Sequence, residues 1–226
     1  MTVKKLDYED LQERTYRAIK ELMLKGELRA NEKLRQEALA KRLGVSRTPL
    51  LRAFSKLEKD LFVVSVPRRG VYVRQFTTEE LINIYDIRLR LEPLGALQAA
   101  ERSTPEAMRQ LEERARAFAE AIAANDVENI RAVDYELHME VMRQSGNALL
   151  VDILSSFNII LISNIKGLQK APEKSLAEHA LLLQAIGRRD AAEAERIMYD
   201  HILEARENLR RAATAGAVES GIEGNR

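Results

Sequence analysis

Ala38-Leu-Ala-Lys-Arg-Leu-Gly-Val-Ser-Arg-Thr-Pro-Leu50 decides the fold of the first third of the chain. A short helical pattern starts at about Gln36 and stops at Leu43. Gly44 follows it where a glycine takes the left-handed conformation that closes a helix. Ser46 then stands where a hydroxyl caps a new helix, from about Arg47 to Lys59, and Pro49 is tolerated in its first turn. Two helices joined by so tight a turn read as a helix-turn-helix. Upstream, Leu11, Tyr16, Ile19, Leu22 and Met23 form an apolar stripe on a helix from about Tyr8 to Lys25, which Gly26 ends. Downstream, the β-branched run Leu61–Val66, the turn Pro67-Arg-Arg-Gly70 and the return Val71–Val73 read as a hairpin with a basic tip. Helix-turn-helix plus hairpin predicts a winged helix.

Charge separates this segment from the rest. Residues 1–75 hold 18 Lys+Arg and 10 Asp+Glu, a net charge of +8, whereas the remainder holds 18 and 25, a net charge of −7. A basic front on an acidic body suggests that only the front meets a polyanion. The absence of cysteine excludes disulfides and thiolate metal sites. Met1–Asp10 does not resemble a secretory signal, and the apolar run at Ile159–Ile162 is far too short to cross a bilayer. These features point to the cytoplasm and away from membranes.

Beyond a short linker at 74–78, Thr77 and Glu80 form a capping box, and only helical patterns follow. The predicted spans are 78–101, 105–124, 127–144, 148–168, 174–187 and 191–213, with starts marked by Thr104-Pro105, Asp126, Asn147 and Asp190. The expected molecule is therefore mainly α: a winged helix-turn-helix over 1–75, an all-α six-helix bundle over 76–214, and a disordered tail over 215–226.

Arg47 occupies the first turn of the second helix of the helix-turn-helix, where a guanidinium fork reaches the O6 and N7 of guanine. Ser46 and Thr48 flank it and suit phosphates. Arg52 lies further along. Arg35, Lys41 and Arg42 suit the DNA backbone, and Arg68 and Arg69 suit the minor groove or phosphates next to it. Arg35, Lys41, Arg42 and Arg52 read equally well as solvated surface cations.

The chain has three histidines. Asp134 and His138 lie one helical turn apart and share a face. If the helices carrying His179 and His201 pack beside that face, one Asp and three His meet. Such a set suits a divalent transition ion: zinc, nickel or manganese. The spacing of Asp134 and His138 is weak evidence by itself, since most such pairs are solvent-exposed neighbours. Asn158, Ser163 and Asn164 interrupt the apolar run Phe157–Ile165, and Asn164 is a candidate to line a pocket.

Gly26-Glu-Leu28, Glu32-Lys-Leu34, Ala38–Leu50, Leu57-Glu58, Leu61 and Pro67-Arg-Arg-Gly-Val-Tyr-Val73 together closely resemble the DNA-binding domain of GntR-type bacterial transcription regulators. By that resemblance Arg47 contacts a base, and Gly70 lets the wing approach the minor groove. Departures occur at Glu37 and Leu51, where members often carry arginine; Arg35 and Arg52 are the nearest substitutes. Asn31 replaces the glycine of a Pro-Gly turn and tolerates the same left-handed backbone. The helical half is similar to the FadR-like branch with an FCD ligand-binding domain. Ile84–Arg88, Leu91–Leu94, Asp134–His138, Ser145–Asn147, Glu178-His179, Ala185-Ile186 with Asp190, and His201 carry that likeness. It implies a divalent metal on Asp134, His138, His179 and His201, with open positions for a small carboxylate effector. Arg88 would pair with that carboxylate, or else form a buried salt bridge with Glu92 or Asp86. The implied protein is a homodimeric, ligand-responsive repressor on a double-stranded DNA operator, not an enzyme. A metal-responsive regulator, a metal-dependent hydrolase and a purely structural metal holding the bundle together are the rival readings.

Overall fold

Leu50, Ala53, Phe54 and Leu57 recur at the spacing that puts them on one face of a helix, and all four are buried. They lie on α3 (Arg47–Lys59), against which α1 (Leu11–Leu24) packs through Tyr16, Ile19 and Met23. The computed structural model describes residues 11–156, 160, 162 and 169–223. Between α1 and α3 runs α2 (Gln36–Leu43), ended by Gly44 in the left-handed conformation at φ +65°. Ser46 precedes α3 with extended backbone, but among the described residues its hydroxyl makes no cap hydrogen bond, unlike the expected cap. The wing is the antiparallel pair β1 (Val63–Val66) and β2 (Gly70–Val73), with Val63 opposite Val73 and Val66 opposite Gly70. The segment before α2 adds a partial third strand. Lys33 bridges Tyr72, and the amides of Leu34 and Val73 bond Val71 O and Glu32 O. Asn31 leads into it at φ +64°, the left-handed turn expected of it.

The chain divides between Gln75 and Phe76. The second unit is helical throughout the described residues: α4 (Thr78–Glu101), α5 (Pro105–Ala123), α6 (Val127–Gln144), α7 (Ala148–Ser156), α8 (Pro172–Gly187) and α9 (Ala191–Glu223). Each start marked in the sequence by a capping residue is capped by that residue's side chain. Thr77 and Glu80 bond reciprocally, and Thr104, Asp126, Asn147 and Asp190 accept from the amides three residues on. α8 begins at Pro172 rather than 174, because proline suits the first turn. α9 continues past the expected end at 213, so the stretch expected as a disordered tail is helical through Glu223. No proline interrupts it.

α4 is the centre of this unit, packed on α6, α8 and α9. Its approach to α6 is close at Gly95, where an added Cβ would lie 2.3 Å from Met142 Sδ. One turn earlier on both helices, Glu92 faces His138.

Candidate metal centre and nucleic-acid interface

Three helices each bring one histidine to the same place. His138 comes from α6, His179 from α8 and His201 from α9, with ring centroids 4.8 to 5.2 Å apart. Each offers a ring nitrogen within 4.8 Å of the others. Asp134, one turn before His138, stands at the edge of the group with Oδ1 3.8 Å from His179 Nε2. All four residues are buried. Burial, reinforced by the neighbouring imidazoles and Lys170, drives His179 and His201 well below the ordinary histidine range. Both are therefore neutral, the form that binds a metal.

His138 Nε2 and both ring nitrogens of His179 are buried and have no hydrogen-bond partner among the described residues. Leaving one buried polar atom unsatisfied costs about 1–3 kcal/mol. The two nitrogens of one imidazole point apart, so an ion between the rings accounts for His138 Nε2 and one nitrogen of His179. The donors, imidazoles with one carboxylate, fit zinc, nickel or manganese.

Two acidic residues outside the expected site complete its surroundings. Glu92 on α4 is fully buried, with Oε2 2.5 Å from His138 Nδ1 and Oε1 accepting from Arg88 Nε at 2.5 Å. Burial by itself would raise the Glu92 carboxyl, but Arg88 and His138 outweigh it and hold it down at about 2. Arg88 thus takes the salt bridge to Glu92, while Asp86 pairs with Arg206. Glu178, just before His179, places Oε2 2.7 Å from His201 Nδ1 and pairs with Lys170. Lys170 also donates to His201 O at 3.0 Å. Arg88, Asp134, Lys170, Ser175 and His201 line one small cavity beside the imidazoles. Asn164 lies outside the described residues.

Glu92 was visible in the sequence only as a possible partner of Arg88, four residues away on the same helix face. Lys170 carried no signal, since a lysine in a charged loop is ordinarily solvated.

In the first unit, Arg35, Arg47, Arg68, Arg69 and Gly70 line one concave surface together with Lys33. Arg35 is the residue preceding α2, and Arg47 opens α3. All four arginines are exposed, and none has an ion-pair partner among the described residues. Ser46, Thr48 and Arg52 are exposed on or beside α3 but do not line this surface. Arg42 pairs with Glu27 instead. The wing tip bends through Arg68 at φ +63° and Gly70 at φ +112°, and the latter is a conformation that L side chains rarely adopt.

A winged helix with unpaired arginines on one concave face, followed by a helical domain with a buried polar centre, defines a DNA-binding transcription regulator. The profile of bacterial regulatory proteins of the gntR family matches residues 11–73, and that of the FCD domain matches residues 83–204. The chain belongs to the GntR family and carries an FCD domain. It is 27% identical to the HTH-type transcriptional regulator YdhC of Bacillus subtilis, over 89% of this chain and 92% of that protein. It is 25% identical to the HTH-type transcriptional repressor RspR of Escherichia coli, over 78% and 79%. Among solved structures, Escherichia coli McbR/YncC shares the fold at a TM-score of 0.79, with 21% identity over 90% of this chain and 99% of that one.

Proposed function

We propose that this regulator holds a divalent ion on Asp134, His138, His179 and His201, and that a small organic acid bound at the ion changes its affinity for an operator. The observation that carries this reading is the convergence of buried, unpartnered imidazole nitrogens beside a cavity bordered by cations. When bound, the ion supplies a Lewis-acidic anchor for an anionic oxygen. The chain supplies the rest. Asp134 and the imidazoles hold the ion, Arg88 and Lys170 border the cavity while paired with Glu92 and Glu178, and burial strengthens the electrostatics there by excluding water.

On the DNA side, Arg47 reads a base edge, while Arg35, Arg68 and Arg69 hold the backbone or the minor groove; Ser46, Thr48 and Arg52 are peripheral phosphate contacts. A homodimer places one winged helix on each half of a partly palindromic operator. Repression is supported by the relatives RspR and GlaR, both named as transcriptional repressors. Among the described residues no helix is long and apolar enough to cross a membrane, and binding an operator is a task for the cytoplasm of a bacterium. A regulator for which the ion is itself the signal is the second reading, because the centre is nearly sealed. A metal-dependent hydrolase is disfavoured by the neighbouring carboxylates. Glu92 and Glu178 are engaged with imidazoles and cations rather than placed as a general base.

Calorimetry with a panel of small carboxylic acids, on metal-free and zinc-loaded protein, tests the proposal. Acid binding that requires zinc is expected. Equal binding without zinc contradicts it, and turnover of an acid would transfer the protein to the hydrolase reading.

A further inference from the structure

We infer that Glu92 and Glu178 are positioning residues of the metal centre, fixing His138 and His201 in the tautomer whose Nε2 faces the ion; this rests on the metal reading above. A carboxylate can only accept. Glu92 Oε2 lies 2.5 Å from His138 Nδ1, so Nδ1 carries the hydrogen and Nε2 carries the lone pair. That Nε2 is the buried atom without a partner among the described residues.

His201 has two neighbours at Nδ1: Glu178 Oε2 at 2.7 Å and Lys170 Nζ at 3.0 Å. Lys170 already has the Glu178 carboxylate and His201 O as acceptors. If Nδ1 instead accepted from Lys170, its lone pair would face a carboxylate oxygen at the shorter distance, which is repulsive. The network closes when Nδ1–H donates to Glu178 and Lys170 donates to Glu178 and the carbonyl. Both histidines are then held the same way. A cation on the cavity wall pairs with a carboxylate, and that carboxylate orients an imidazole: Arg88 through Glu92 to His138, and Lys170 through Glu178 to His201. His179 has no such clamp among the described residues and is set by packing against the Phe118 ring, 5.2 Å away. Partners of this kind orient metal-binding histidines and make them better donors.

The test titrates zinc into full-length protein against a chromophoric chelator, using the wild type, Glu92→Gln, Glu178→Gln and His179→Ala. Histidine tautomers are read separately by nitrogen-15 NMR of the metal-free wild type, so the outcome does not depend on a variant folding. Each glutamine variant is expected to bind one zinc about 10–100-fold more weakly than the wild type. His138 and His201 are expected to show Nδ1–H. Wild-type affinity in both glutamine variants, or an Nε2–H tautomer at either histidine, overturns the inference. A wild type that takes up no zinc, or a His179→Ala variant that binds it equally well, overturns the metal reading itself.

Discussion

Arg47 and Gly70 show how much single positions decide in the DNA-binding unit. Arg47 opens α3 on the concave face, exposed and without an ion-pair partner among the described residues. Arg47→Ala is expected to weaken specific operator binding by about 1–3 kcal/mol while leaving non-specific binding nearly unchanged. Fluorescence anisotropy with operator and scrambled duplexes checks this, and equal loss on both would place Arg47 on the phosphates. Gly70 sits at φ +112°, and a Cβ there would also meet Lys33 Cε at 3.1 Å. Gly70→Ala should therefore lower stability by about 1–3 kcal/mol in urea unfolding. The place of Arg47 at a helix start, the grouping of the histidines and the left-handed turn at Asn31 were legible in the sequence because these features are local or the residue type is rare in the chain. The role of Glu92 was not, because it depends on α4 passing α6 closely enough for a carboxylate to reach His138, and no spacing within one helix reveals that.

The elements are bounded by features that act within a few residues, which is why their limits could be read in advance. Gly44 closes α2, and Thr77, Thr104, Asp126, Asn147 and Asp190 bond the first amides of their own helices. Where the sequence misled, a different balance decided. The run after 213 looked small and polar, yet α9, with no proline to break it, runs on to Glu223. The bridge from Lys33 to Tyr72 joins segments far apart in sequence and left no periodic trace. Gly95 is the contact that positions the site at this scale. Gly95→Val would drive branches into Met142 and Leu150 and should cost about 1–3 kcal/mol of stability. Because the Glu92–His138 contact lies one turn away, the same variant should also bind zinc more weakly than the wild type. Lost stability with unchanged zinc affinity would show that the α4–α6 spacing does not set the centre.

Over the whole molecule, charge is split between the two units. The first 75 residues carry the excess of cations and the remainder the excess of anions. DNA affinity should therefore fall steeply with salt, and Arg68→Ala and Arg69→Ala should each lower the slope of log affinity against log salt by about one per arginine removed. The centre and the DNA surface lie in separate units of the chain, so an effector acts only through a free energy shared between them, typically about 1–3 kcal/mol or 5–150-fold in affinity. The direct test is the affinity of the full-length protein for a duplex it selects from a random pool. It is measured metal-free, with zinc, and with zinc plus small carboxylic acids. The account predicts that an acid shifts operator affinity by a factor in that range only when zinc is present. An affinity that is the same in all three states, or an acid effect that persists without the metal, would contradict it.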